Sequence, residues 1–212
     1  MGSENGHVWH REAVGAPVEE GMRHLQRIQA LEGCYLAGGT GLALHLGHRR
    51  SMDLYFFSSA AIDEDGLIQK LQNLADFAVL AKAPGTVHAQ IGGVKVSFLA
   101  YAYELLFALD TFMGVPVADP RKIACMKVSA IASRGTRRDF IDLHAVSVRY
   151  GLEQVLRWFT LKFSHAHYNR LHILKSLTYF EDAKQDPMPD MLVPLSWQEV
   201  EEYFLREAPA LL

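Results

Sequence analysis

Tyr35–Phe57 reads YLAGGTGLALHLGHRRSMDLYFF. The apolar run Cys34–Ala37 predicts a short strand. Gly38-Gly39 is then a tight turn, and Thr40–Leu46 a short helix stopped by Gly47. Met52–Phe57 predicts a second strand carrying a single acid, Asp53. A glycine turn that opens a helix presents backbone N–H groups to an anion. Gly38, Gly39 and Thr40 are therefore candidates to cradle phosphate, with Arg49 and Arg50 as two cationic forks suited to the same group. Asp53 offers one carboxylate to a hard cation such as Mg²⁺, or pairs with Arg49 or Arg50. This combination points to nucleotide chemistry.

The spacing excludes two common phosphate loops. Leu44 stands where the last glycine of a dinucleotide fingerprint belongs, and no Gly-Lys-Ser/Thr follows the turn as in a Walker loop. Alternation along a strand puts residues 53 and 55 on one face. A two-metal phosphoryl-transfer site wants an acid at both positions, and position 55 is Tyr55.

The surroundings are those of a globular protein. Half of the 212 residues are hydrophobic and 21% are charged. No run approaches the ~18 apolar residues of a membrane span, so no membrane partner is expected. The first residues lack the basic-then-apolar pattern of a secretory signal, and Gly6 stands where a myristoylation motif needs Ser or Thr. Cys34 and Cys125 are the only cysteines, both in apolar context, and read as free thiols in a reducing cytoplasm.

Charge is unevenly spread. Residues 1–120 carry 8 Lys or Arg against 13 Asp or Glu, residues 121–175 carry 11 against 3, and residues 176–212 carry 2 against 8. The basic middle either faces a polyanion or pairs with acids from the flanks. The texture changes at nearly the same place. Strands at Phe77–Ala83, Val87–Ile91, Val94–Leu99 and Val115–Val117 precede Asp119-Pro120, with Gly92-Gly93 as a two-residue hairpin turn. Helices follow, one running to Arg134, the next opened by Thr136 and ended by Gly151, and others over Leu152–Phe163, Tyr168–Tyr179 and Ser196–Arg206. The expected architecture is α+β: a mixed-sheet core flanked by helices over residues 1–118, then a helical region over residues 119–212.

The basic region supplies further candidates. Lys127 and Arg134, seven apart, share a helix face and could contact phosphates together. Arg137, Arg138, Asp139 and Asp142 follow, with the two acids on one face. Asp142 either serves a site or pairs with Arg138, and Asp139 equally suits a helix cap. His165, His167 and His172 match no standard zinc spacing and read as surface histidines.

Gly38-Gly39, thirteen residues, then Asp53-Leu54-Tyr55 resembles the nucleotidyltransferase signature, in which a Gly-Gly or Gly-Ser precedes an Asp-x-Asp pair. With KVSAIASRGTRRDFIDL and ILKSLTYFED, the chain is similar to the AbiEii/AbiGii toxin family over roughly residues 30–205. The resemblance implies a nucleotidyltransferase-like core that transfers a nucleoside monophosphate from an Mg²⁺-bound NTP to an acceptor such as tRNA, another RNA or a protein. It implies action as a type IV toxin with an antitoxin partner. It assigns the triphosphate to Gly39 and Thr40 and Mg²⁺ to Asp53. Phosphate neutralisation goes to Lys127, and a supporting or basic role to Asp142. Arg134 and Arg138 join the phosphate-binding set.

Tyr55 departs from the family's second acid, and Ser97 stands where this fold often carries a third. One carboxylate plus an NTP suits a single ion. Three readings follow: a transferase, a catalytically degenerate module that binds nucleotide or RNA, and a scaffold whose acidic tail meets a protein partner.

Overall fold

The computed structural model describes residues 7–166 and 168–212. Two compact units divide the chain: one up to Glu104 with Ala108–Asp119, the other Leu105–Phe107 with Pro120–Leu212.

The first unit is built on one seven-stranded mixed sheet. Its strands are β1 (Cys34–Ala37), β2 (Leu54–Ser58), β3 (Phe77–Ala83), β4 (Thr86–Ile91), β5 (Val94–Ala100), β6 (Asp110–Phe112) and β7 (Val115–Val117). They lie in the order β3-β4-β5-β2-β1-β7-β6. β1 and β2 pair antiparallel, whereas β2 with β5 and β1 with β7 pair parallel. The helices are α1 (Ala16–Arg27), α2 (Gly38–Leu46) and α3 (Glu64–Leu71). Val18, Met22 and Leu25 of α1 pack with Leu54, Phe56, Val96 and Phe98 in a single core. Gly21 belongs to this contact, since a Cβ there would lie 3.7 Å from Leu54 Cδ1. Leu54, Phe56 and Ser58 are buried while Tyr55 is exposed, so the face of β2 carrying Tyr55 is turned away from that core.

Gly92 and Gly93 adopt φ of 54° and 81°, the positive values a two-residue hairpin needs at both central positions. The turn fixes the β4–β5 register, with Ile91 opposite Val94 and His88 opposite Ser97.

The second unit is helical: α4 (Pro120–Arg134), α5 (Arg137–Tyr150), α6 (Leu152–Lys162), α7 (Arg170–Ser176) and α8 (Trp197–Glu207). α4 packs on α5, α6 and α7 through buried Ile123, Cys125, Val128 and Ile131. Thr136 and Asp139 form a capping box at the start of α5, and Ser196 and Glu199 form one at α8, each satisfying two otherwise orphan donors. Phe140 meets Phe180, Phe204 and Trp197 at ring distances of 5.1, 5.6 and 6.0 Å. At the α4–α5 corner a Cβ on Gly135 would lie 2.8 Å from Phe140 Cε2 and 3.3 Å from the Ile131 main chain, so only glycine fits beneath that ring.

Differences from the sequence reading are local. α2 begins at Gly38, so both glycines are helical. β2 begins at Leu54, so Asp53 lies just before the strand. α7 covers seven of the twelve residues predicted for it, and β6 was not anticipated. Among the described residues no helix is long and apolar enough to cross a membrane.

Candidate functional site

β1 runs directly into α2. Ala37 is both the last strand residue and the helix N-cap, and Gly38 makes the turn at φ 66°. Ala37 offers the first turn of α2 no side-chain acceptor, and this end carries the positive pole of the helix. A Cβ on Gly39 would collide with Arg49 Nη2 and lie 3.3 Å from Ser51 Oγ. The missing side chain is thus the space in which the guanidinium sits. Arg49 is almost fully buried, and its Nη1 donates to the main-chain carbonyl of Arg50 at 3.0 Å. The Arg50 side chain is exposed.

Thr40 is fully buried. Its hydroxyl lies 2.8 Å from Ser51 Oγ and donates to the main-chain carbonyl of Asp53. The threonine side chain therefore ties α2 to the segment holding Asp53, and Asp53 is brought beside the helix start. Gly38, Gly39, Thr40, Arg49 and Asp53 gather in one place.

Tyr55 borders this place, its Cβ lying 3.5 Å from where a Gly38 Cβ would be. In the sheet Ala37 faces Tyr55, Tyr55 faces Ser97, and Ser97 faces His88. Directly opposed residues point to one side of a sheet. The face of the sheet turned away from that core thus carries a row of Tyr55, Ser97 and His88, with Ser97 Oγ and His88 Nδ1 2.8 Å apart. His88 was not singled out from the sequence. Counting outward from Gly92-Gly93 pairs 88 with 97, so the hairpin could have revealed it.

The helical unit holds the other candidates. Lys127 Nζ lies 2.7 Å from Asp142 Oδ2 and 2.8 Å from Asp139 Oδ1. Asp139 Oδ2 accepts from the Thr136 N–H at 3.1 Å and the Thr136 hydroxyl at 2.7 Å, so one carboxylate caps α5 and joins it to α4. Asp142 is fully buried. Burial alone pushes the Lys127 pKa down, but the charges and hydrogen bonds of Asp142 and Asp139 together hold the ammonium above its ordinary range. One partner of Asp142 is thus a lysine fifteen positions earlier.

Arg134 and Arg138 are exposed. Arg137 is committed to its own unit, donating to the carbonyls of Ala183 and Lys184 at 3.1 and 2.8 Å and stacking over Trp197. Two more cations of this unit are buried, Lys122 on α4 and Lys162 on α6. Burial, and then the charge of Lys162, push the Lys122 pKa down to about 7. His172 Nε2 donates to the Ala132 carbonyl at 3.0 Å, and His167 lies outside the described residues. Cys34 and Cys125 are not joined in a disulfide, and Cys125 Sγ donates to the Arg121 carbonyl at 3.2 Å.

The sequence profile of one family, described as nucleotidyl transferase AbiEii toxin of type IV toxin–antitoxin systems, matches residues 98–210. The chain belongs to the AbiEii family. The match covers two of the three motifs read from the sequence, and the Gly-Gly segment precedes it. An uncharacterized protein of Aquifex aeolicus is 34% identical over 192 residues, covering 86% of this chain and 91% of the relative. JHP933 from Helicobacter pylori shares the fold with a TM-score of 0.52 and 18% identity, over 91% of this chain and 89% of its own. MenT4, a nucleotidyltransferase toxin from Mycobacterium tuberculosis, does so with a TM-score of 0.52 and 15% identity, over 94% and 87%. The AbiEii nucleotidyltransferase fold expected from the motifs is borne out.

Proposed function

We propose that this AbiEii protein transfers a nucleoside monophosphate from an NTP to an RNA or protein acceptor, with one Mg²⁺, as the toxin of a pair that includes an antitoxin. The observation that carries this reading is the Arg49 guanidinium packed into the space left by Gly39 at the uncapped start of α2, with Asp53 tied alongside through Thr40. A helix N-terminus and a buried guanidinium both favour phosphate. The α2 N–H groups and Arg49 would hold the triphosphate, and exposed Arg50 would meet its outer charge. Asp53 suits a hard cation that is otherwise satisfied by phosphate oxygens and water. Bound there, Mg²⁺ would supply charge neutralisation at the phosphate under attack. In the helical unit Lys127 is proposed as the phosphate-neutralising cation and Asp142 as its support, with Arg134 and Arg138 as exposed phosphate contacts.

A second reading rests on the row Tyr55, Ser97 and His88. It contains no carboxylate where a two-metal site would have two, which favours a module that binds nucleotide or RNA without turnover.

Transfer of label from each α-labelled NTP, with Mg²⁺, onto total tRNA and protein separates the two. Label transferred by the natural chain and abolished by Asp53→Asn supports the transferase. Salt-sensitive NTP or RNA binding with no label in any acceptor supports the binding module.

A further inference from the structure

The end of α2 opposite the glycine turn carries a second cluster of donors. His45 in the last turn of α2, His7 in the segment before α1, and Asp110 at the start of β6 each bring a ligand atom within 4.8 Å of the others. Seven residues separate His45 from Gly38, roughly 10 Å along the helix, so this cluster is distinct from the candidate nucleotide site.

We infer that His7, His45 and Asp110 form a binding site for a divalent transition metal of the zinc class. Two imidazoles and one carboxylate are the donor set of open zinc sites, with a water completing the tetrahedron. Imidazole donors favour zinc and its neighbours over Mg²⁺. His45 is oriented for the task. Its Nε2 lies 3.0 Å from the Ala118 carbonyl, which can only accept, so Nε2 carries the proton and Nδ1 keeps its lone pair. Metal-binding histidines are commonly fixed this way through their outer nitrogen.

His45 Nδ1 now lies 2.9 Å from His7 Nε2, and His7 donates in that hydrogen bond. On metal binding His7 moves its ring proton to Nδ1, freeing Nε2 as a ligand with no net proton released. Trp9 stands over both rings, at 4.4 Å from His7 and 4.6 Å from His45, and Phe112 backs Trp9 at 5.3 Å. The three ligands come from three separate segments, so the ion would fasten residues 7–14 to the end of α2. That strap already rests there, the His10 N–H donating to the Leu44 carbonyl at 2.8 Å.

The test is zinc binding by the full chain, stripped with chelator and titrated against a chromophoric competitor, beside Asp110→Asn and His7→Ala. Folding of each variant is checked by circular dichroism and metal-free melting. The expected result is one tightly held zinc per chain that millimolar Mg²⁺ does not displace. Saturating zinc should raise Tm by about 5 °C or more, and each variant should bind at least ~10-fold more weakly. Co²⁺ should give the visible spectrum of a tetrahedral site in the natural chain. Zinc held equally by the natural chain and both variants, or by none of them, overturns the inference.

Discussion

Tyr55 and Ser97 are Cα partners across the parallel β2–β5 ladder. The two residues that the resemblance places at acidic positions of a nucleotidyltransferase are thus neighbours, placed on the same side of the sheet. Replacing them restores or tests one local feature. Tyr55→Asp should tighten Mg²⁺-dependent NTP binding by roughly tenfold, about 1.4 kcal/mol, and should not reduce label transfer. Calorimetric titration with Mg-NTP reads the first and the labelling assay the second. Tighter NTP binding without Mg²⁺ would contradict a metal role for this position.

Gly39→Ala places a methyl group against Arg49 Nη2. The guanidinium must swing away, so NTP binding should weaken by about tenfold or more while the fold is kept, since charge-assisted phosphate contacts are worth about 1.5–3 kcal/mol. Arg49→Lys should produce a similar loss because a single ammonium lacks the planar fork. Unchanged affinity in both variants would place the phosphate elsewhere.

Lys127 joins two carboxylates in a buried network. Removing one partner of a buried pair costs about 3–5 kcal/mol, so Asp142→Ala should lower the urea midpoint of unfolding markedly. Asp139→Ala should also cost the α5 cap, about 1 kcal/mol. Lys127 has a raised pKa, so its contribution is fully present below its ordinary pKa of 10.5 and lost as pH rises through the higher folded value.

Lys122 behaves in the opposite sense. Its folded pKa is about 7 against 10.5 in the unfolded chain. Between these values the unfolded state binds the extra proton, so stability rises with pH from about 7 to 10.5 and is lowest below pH 7. Lys122→Met should remove that slope and stabilise the protein at pH 6, by up to a few kcal/mol. Urea unfolding of both chains at pH 6 and pH 9 measures it.

Punctuation residues made much of the fold legible. Gly92-Gly93 announced a hairpin, and Gly135-Thr136 and Ser196 announced helix boundaries, because positive φ and side-chain capping are local requirements. β6 was missed since Asp110–Phe112, three residues long, has a single hydrophobic residue, whereas the equally short Val115–Val117 has two valines. The pairing of Tyr55 with Ser97 was hidden because parallel register depends on packing between distant segments. The same holds for Lys127 with Asp142, which lie on different helices, and for His7, His45 and Asp110, which no spacing connects. Gly39 was readable as a turn residue, but its second use, as room for Arg49, required the fold.

The row of Tyr55, Ser97 and His88 also leaves that face of the sheet without a carboxylate at any of the three positions. A cluster of carboxylates repels a triphosphate until cations arrive to screen it. Among Gly38, Gly39, Thr40, Arg49, Ser51 and Asp53, Asp53 is the one acid, and the Arg49 guanidinium packs against Gly39. On the proposed function, a triphosphate approaching that helix start would meet a single carboxylate rather than a cluster of them.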